Sequence, residues 1–114
     1  MSTKANNLYE GMHIISASLS EGALEKAVAR LKSTIEEFGG EIKNVISMGR
    51  KKLAYEINNA RHGEYFLIYF SAPPSAIVEI KKEYKINEDL MRVLIFKTEA
   101  VQEKIEFQTL GEVS

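Results

Sequence analysis

The chain has 114 residues, of which 45% are hydrophobic and 27% charged, and its formal net charge at pH 7 is −1. These values indicate one soluble domain with a single hydrophobic core. The lack of cysteine excludes a disulfide framework, a thiolate zinc site and a cysteine nucleophile. No apolar run approaches the roughly 20 residues of a membrane span, and the polar segment 1–7 lacks the apolar core of a secretory signal. We therefore expect a cytosolic protein without a membrane partner.

Charge is unevenly distributed along the chain. Residues 1–97 carry 14 Lys and Arg against 12 Asp and Glu, whereas residues 98–114 carry one Lys against four Glu. We predict a mildly basic body and an acidic tail that contact different partners. The overall charge argues against a general nucleic-acid binder, because such domains are usually basic.

A strand and a helix are predicted first. Residues Leu8 to Ile15 alternate largely as a strand does. Ser18 precedes Glu21 at the capping-box spacing, which predicts a helix start. One apolar stripe at helical spacing follows, formed by Leu24, Ala27, Val28, Leu31, Ile35 and Phe38. Gly39-Gly40 then ends the helix, because glycine takes the left-handed cap conformation at little cost.

A long bent strand is predicted from Glu41 to Ile57. Its apolar residues occupy even positions before Gly49 and odd positions after it, namely Ile42, Ile46 and Met48, then Leu53, Tyr55 and Ile57. A bulge at Gly49 would let both halves face one core, and glycine tolerates a bulge. We interpret Leu53 and Tyr55 as core residues.

Three consecutive cations, Arg50, Lys51 and Lys52, follow Gly49 at the predicted bend. We call these three residues the cationic corner. A short charge run on an edge strand is commonly a solvated surface. The other interpretation is a phosphate-binding corner, and composition alone leaves both open.

The second half of the chain contains a strand, a helix and a strand. Asn58 to Gly63 is rich in turn formers and predicts a loop. Glu64 to Ser71 is apolar on both faces, which is typical of an interior strand. Pro73-Pro74-Ser75 opens a helix. Its inward residues are Ile77, Ile80 and Tyr84, and its outward lysines are Lys81, Lys82 and Lys85. Leu90 to Lys97 forms the last strand.

This order of elements contains two split βαβ units. Both helices then pack on one face of a four-stranded antiparallel sheet, which is the ferredoxin-like sandwich of the α+β class. We expect a disordered N-terminus at 1–6, the folded domain at 7–97 and the acidic tail at 98–114.

The sequence offers little for catalysis. His13 and His62 have no carboxylate at a useful spacing, and a lone histidine is more often structural than catalytic. The sequence has no Walker loop and no Gly-x-Gly-x-x-Gly, and its paired acids fit a helix surface and a turn. We predict no catalytic residue, no metal site and no cofactor.

RNA-recognition modules use the same sandwich and stack bases on aromatic residues of a central strand. The stretch from Gly63 to Tyr69 matches their motif in part, but Glu64 stands at the first stacking position. A carboxylate there repels the phosphate backbone, so we exclude that mode of RNA binding. The apolar sheet face favours a protein partner, although core burial explains most of the same residues.

Several blocks of the sequence resemble the bacterial small-subunit ribosomal protein S6 family. They are Leu8-Tyr9-Glu10, Gly39-Gly40-Glu41, Gly49 to Ile57, Gly63-x-Tyr65 and Asn87-Glu88-Asp89-Leu90-Met91-Arg92. The resemblance covers about residues 7–97. It implies the ferredoxin-like fold and a non-catalytic protein that binds the central domain of small-subunit ribosomal RNA, not DNA. It also implies a heterodimer with ribosomal protein S18 that binds this RNA cooperatively.

The resemblance also implies site residues. The expected RNA contacts are Arg50, Lys51, Lys52, Arg92 and Lys97. The expected contacts with the protein partner are Tyr9, Glu10, Val101, Ile105 and Phe107, with Leu110 as a further docking residue. Arg92 is alternatively an ion-pair partner of Glu10, since buried cations are usually paired. The tail residues are alternatively disordered.

One position departs from the family pattern. The family commonly has proline where this chain has Glu56, which removes a strand breaker and adds a negative charge beside the cationic corner.

Two other functional classes share the same fold. A ligand-sensing regulatory domain needs a cleft with converging polar groups. An acylphosphatase needs a phosphate-binding loop with an arginine directly after the first strand. This chain has Ser16-Ala17-Ser18 there instead.

Overall fold

The computed structural model describes residues 6–57 and 60–101, and its elements follow the predicted order. They are β1 (Asn7–Ser16), α1 (Glu21–Glu37), β2 (Glu41–Ile57), β3 (Ala60–Ala72), α2 (Ala76–Lys85) and β4 (Leu90–Thr98). The strands pair antiparallel in the order β2-β3-β1-β4. Both helices pack on one face of this sheet, so the predicted ferredoxin-like sandwich is confirmed.

The hydrophobic core lies between the sheet and the two helices. Strand β3 contributes Ile68 and Phe70, helix α1 contributes Leu31 and Ile35, and helix α2 contributes Ile80. Successive residues of a strand point to opposite faces, so β1 gives this core its odd-numbered residues and β3 its even-numbered ones. The predicted apolar stripes of both helices are confirmed.

Strand β3 lies between β2 and β1, as its two apolar faces predicted. Leu67 and Tyr69, on the face opposite the helices, are also buried. The predicted loop from Asn58 to Gly63 was wrong in extent, because β3 begins at Ala60. His62 and Gly63 pair with β2, so strand pairing overrides their turn propensity. Residues 58 and 59 lie outside the described part of the chain.

Helix α1 begins after Ser20 rather than Ser18. The Ser20 hydroxyl accepts a hydrogen bond from the Ala23 N–H at 3.2 Å, whereas the Ser18 hydroxyl bonds that of Ser16 at 2.8 Å. The predicted capping box was therefore wrong by two residues. The predicted glycine end is confirmed, because Gly39 has a φ of 93° and marks the left-handed cap.

Strand β2 contains two register shifts before the cationic corner, one between Ile42 and Asn44 and one between Ser47 and Gly49. Gly49 has a φ of 85°, which glycine adopts without steric cost, so the predicted bulge is confirmed. The first shift was not predicted. It leaves Ile42 packed against the core, while Ile46 pairs with Leu67 on the opposite face. The Gly49 bulge therefore keeps Ile46 and Leu53 on one face, opposite the helices, whereas the first shift places Ile42 on the helix face.

A buried polar network connects β1 with both helices. The Nδ1–H of His13 donates to the Gly11 carbonyl oxygen at 2.8 Å, and its Nε2 accepts from the Tyr84 hydroxyl at 3.0 Å. The Tyr84 oxygen also lies 3.4 Å from the Leu31 carbonyl oxygen. Burial lowers the pKa of His13 to about 4 and raises the pKa of Tyr84, so both groups are neutral at pH 7.

Candidate functional site

The cationic corner lies on the edge strand β2, directly after the Gly49 bulge. All three of its side chains are exposed. Lys51 pairs in register with Gly63. A side chain at Gly63 would point to Ile14, on the sheet face opposite the helices, so Lys51 lies on that face. Alternation along the strand turns Arg50 and Lys52 to the other side. The three cations therefore surround the sheet edge instead of forming one flat patch.

Arg50 forms a hydrogen bond within the chain. Its Nη2 donates to the Ala17 carbonyl oxygen at 2.8 Å, in the loop between β1 and α1. This bond ties the edge strand to the start of the first helix. A guanidinium carries five N–H donors, so Arg50 retains donors for a phosphate while it holds this loop.

Arg92 reaches across the sheet to Tyr55. Its Nη1 donates to the Tyr55 hydroxyl at 2.6 Å, and its guanidinium carbon lies 5.5 Å from the ring centroid. These residues belong to β4 and β2, which are opposite edges of the sheet. The end of β2 must therefore curl over the face opposite the helices.

Tyr55 was wrongly predicted to be a core residue, since 60% of it is exposed. The pairing of β2 with β3 is interrupted after Lys52 and resumes at Ile57, so four residues of β2 stand opposite Arg61 alone. Leu53 is buried, as predicted. Sequence reasoning missed the contact between Tyr55 and Arg92, although an aromatic ring close to three cations was a usable signal.

A small cavity of about 120 Å³ lies beneath the Tyr55–Arg92 contact. Its lining includes Ile14, Leu53, Tyr55, Tyr65 and Arg92. We call the surface formed by Lys51, Tyr55 and Arg92 the hairpin face. The structure thus brings Arg92 to the same end of the sheet as the cationic corner.

The alternative ion pair between Arg92 and Glu10 is not formed. Arg92 lies opposite Ile14, whereas Glu10 lies opposite Phe96, four positions further along the ladder. The register keeps the two charged groups apart, and the Arg92 guanidinium bonds Tyr55 instead.

Lys97 lies at the other end of the sheet from Arg92. It pairs in register with Tyr9 and lies five positions along β4 from Arg92, a distance of about 17 Å. The five predicted RNA contacts therefore fall into one group of four and one distant residue. Their role in RNA binding stays a prediction.

The predicted partner residues differ in exposure. Tyr9 is only 8% exposed, and its ring stacks on Phe70 with centroids 5.5 Å apart, which gives it a place in the core. Glu10 and Val101 are half-buried. Ile105, Phe107 and Leu110 lie outside the described residues. The role of all five predicted residues at a protein interface stays a prediction.

Two apolar side chains close to Glu10 were not predicted as partner contacts. Phe96, opposite Glu10, is 58% exposed, and Leu94 is 50% exposed. Both lie on the sheet face opposite the helices, on the edge strand β4. The sequence did not indicate that Leu94 and Phe96 are exposed. Both belong to an apolar run, in which no alternation of apolar and polar residues marks an exposed face.

The charge of Glu56 is matched within its own hairpin. Its Oε2 lies 3.2 Å from the Nε of Arg61, and both side chains are exposed. An exposed ion pair contributes about 0–1 kcal/mol. The expected negative charge beside the cationic corner is therefore compensated locally by a cation.

The described residues hold no group of three or more side chains that could bind a metal ion. No helix in the described ranges is long and apolar enough to cross a membrane.

The described chain is thus a ferredoxin-like sandwich that exposes cations and apolar side chains along its edge strands. A family model described as ribosomal protein S6 matches residues 8–97. The chain therefore belongs to the ribosomal protein S6 family.

Full-length relatives agree with this family. The chain is 53% identical over 112 residues to small ribosomal subunit protein bS6 of Protochlamydia amoebophila, which covers 98% of each chain. It is 51% identical to the bS6 protein of Chlamydia felis, over 98% of this chain and 100% of the other. These relatives confirm the predicted family, and family membership makes the chain a structural, non-enzymatic component of the small ribosomal subunit.

Solved structures match the fold as well. The crystal structure of 30S ribosomal protein S6 from Thermotoga maritima has a TM-score of 0.77 and 30% identity, over 96% of this chain and 95% of that one. A P2 domain of the chemotaxis kinase CheA, in complex with CheY, has a TM-score of 0.56 at 10% identity. At that identity the CheA domain shares the fold alone, so it lends no support to a regulatory function.

Proposed function

We propose that this chain binds the central domain of small-subunit ribosomal RNA cooperatively with ribosomal protein S18. Membership of the ribosomal protein S6 family supports association with the ribosome. The net charge of −1 fits a shared task, because a near-neutral protein can sit on RNA when a basic partner supplies much of the attraction. One surface of the chain then contacts RNA and another contacts the partner.

The bulge at Gly49 carries the RNA part of this proposal. It delivers three exposed cations to the edge of the sheet, and Tyr55 holds Arg92 at the same end. Exposed Lys and Arg side chains bind phosphate oxygens and fix the orientation of a protein on RNA without reading bases. The corner therefore positions the chain, while the RNA site is selected by its shape and by the partner.

The exposed pair Leu94 and Phe96, with Glu10 beside it, supports the protein part. When a partner covers half-exposed apolar side chains, the apolar surface removed from water stabilises the complex. A carboxylate next to them attracts a basic protein and helps to set its orientation. This surface lies on the face opposite the helices, away from the helix side to which Arg50 and Lys52 turn.

The experiment that tests the RNA part replaces Lys51 and Lys52 with alanine and leaves Arg50 in place. Arg50 holds the loop at Ala17, so its loss would confuse binding with local structure. Affinity for a central-domain RNA fragment is measured with S18 present over a series of salt concentrations. We expect roughly tenfold weaker binding and a salt slope lower by about 1.5, because each lost phosphate contact removes about 0.7–0.9 from the slope.

A matched control removes two exposed lysines elsewhere, Lys26 on α1 and Lys82 on α2. This K26A/K82A variant has the same net charge as K51A/K52A, so it isolates position from charge. Equal affinities and slopes for the two variants would refute the cationic corner as an RNA contact. The wild-type chain should bind weakly alone and tightly with S18. Tight binding alone would overturn cooperativity, and no binding under either condition would overturn the proposed function.

A further inference from the structure

A groove of about 350 Å³ runs between helix α2 and the edge strand β4. The strand contributes Leu90, Met91, Arg92 and Val93, and the helix contributes Lys81 and Lys85 together with the ring of Tyr84. The Tyr84 hydroxyl is occupied by His13, so this residue offers the groove only an apolar wall. The groove therefore has an apolar floor and a cationic side, and no carboxylate lines it.

Lys81 and Lys85 have no ion pair or hydrogen bond with a described residue. The ion pairs found among residues 6–57 and 60–101 lie elsewhere, at Lys43 with Glu41 and at Arg61 with Glu56. Residues at i and i+4 of a helix are neighbours, about 5–6 Å apart at Cβ. A cation in the last turn of a helix stabilises it through the helix dipole. Lys81 lies outside that turn, so the dipole does not explain its position.

Strand β4 provides additional donors along the groove. Within the described residues it pairs only with β1, so the N–H groups on its outer edge have no strand partner. Backbone N–H groups and lysines are both common ligands of phosphate oxygens in complexes with nucleic acids.

Arg92 connects this groove to the hairpin face. It lines the groove and also the small cavity beneath Tyr55. Cations therefore follow one another around the β4 edge, from helix α2 to the hairpin face.

We propose that the groove between α2 and β4 holds a sugar-phosphate strand of ribosomal RNA. This inference rests on the proposed function and adds a second RNA contact to it, on the sheet edge opposite the cationic corner. Lys81 and Lys85 bind phosphate oxygens, and the apolar floor receives the ribose. RNA is favoured over a protein occupant, because the proposed partner is basic and would be repelled by these lysines.

The first test replaces Lys81 and Lys85 with alanine, and K26A/K82A again serves as the control of equal charge. Both variants are assayed with S18 and the central-domain RNA fragment. We expect K81A/K85A to lower the salt slope by about 1.5 and to weaken binding several-fold more than the control. Identical behaviour of the two variants would overturn the inference.

The second test uses the wild-type chain and maps lysine acetylation by mass spectrometry. The chain is compared alone, with S18, and with S18 plus RNA. We expect Lys81 and Lys85 to become protected only when RNA is present, while Lys82 stays reactive. Protection by S18 alone would overturn the inference in favour of a protein occupant. If RNA binds and both lysines stay reactive, this inference fails while the proposed function stands. If RNA does not bind, the proposed function fails.

Discussion

His13 and Arg92 are polar residues in adjacent strands, and burial gives them different roles. His13 is fully buried and neutral, and both of its ring nitrogens are satisfied within the chain. Arg92 is exposed, charged and only partly occupied by Tyr55. The sequence predicted that His13 is structural or solvated rather than catalytic, but it did not predict the partner of Arg92. That contact joins residues 37 positions apart through the curl of β2.

The buried state of His13 makes stability depend on pH. Its pKa is about 4 in the folded chain and 6.5 in the unfolded chain, so the unfolded chain binds more protons between these values. Stability therefore rises with pH across this window. As pH falls from 6.5 to 4, we expect a loss of about 3 kcal/mol in the free energy of unfolding, measured by urea denaturation.

A His13→Gln variant separates this effect from that of the carboxylates, because glutamine does not titrate. Its stability should be almost flat between pH 6.5 and 5, where the wild type declines. A second variant, Tyr84→Phe, removes the donor to Nε2 and should cost about 1–2 kcal/mol at pH 7. If wild type and His13→Gln have parallel pH profiles, His13 is not the titrating group.

At the scale of elements, the sequence predicted what depends on local patterns. The apolar stripe of α1, the two-sided apolarity of β3 and the parity change at Gly49 each led to the observed element. The register shift near Ile42 left no such trace, because it depends on pairing with Phe70 and Tyr69 of β3. The start of α1 was misplaced because Ser18 and Ser20 are both suitable N-cap residues, and only the backbone geometry selects one.

Gly49 tests the importance of the bulge. A Cβ at this position meets no atom within 4 Å, so the cost of Gly49→Ala is the left-handed backbone alone. We expect a loss of about 1 kcal/mol in stability and weaker RNA binding, because the strand shifts to relieve a φ of 85°. Thermal unfolding and the RNA assay above measure both effects.

The control for this variant is Gly22→Ala in helix α1. Gly22 also has open space around it, but its φ is not positive. Alanine is the better helix former, so stability should stay equal or rise. A loss of stability in Gly22→Ala as large as that in Gly49→Ala would remove the special role of the bulge.

At the scale of the whole molecule, strand order decides which predicted residues act together. Arg50 to Lys52 and Arg92 are far apart in sequence, yet they lie at one end of the sheet. Lys97 is only five residues from Arg92 and lies at the other end. Local sequence gave the residue types of the site, but their grouping required the order β2-β3-β1-β4 and the curl of β2.

The exposed pair on β4 gives a prediction for partner binding. Leu94→Ala with Phe96→Ala should weaken binding to S18 by about 10- to 100-fold in a calorimetric titration, because an aromatic anchor at an interface is worth about 2 kcal/mol or more. The fold should remain intact, since both side chains are half exposed.

Helix α2 and its C-cap residue offer the matched control for that pair. Val78 and Ile86 are exposed to a similar degree, 57% and 66%, but they lie on the helix side of the molecule. Val78→Ala with Ile86→Ala should leave the affinity for S18 unchanged. Equal losses in both double variants would mean that the sheet face is not the partner surface.

The pairing of the first strand with the last has a consequence for biosynthesis. Strand β1 needs β4 to complete the sheet, and Leu8 pairs with Thr98. A nascent chain can form the hairpin of β2 and β3 early, but it cannot cover the outer edge of β1 until the last strand has left the exit tunnel. Folding should therefore finish only after β4 has emerged, and before that moment β1 is open to pairing with other chains.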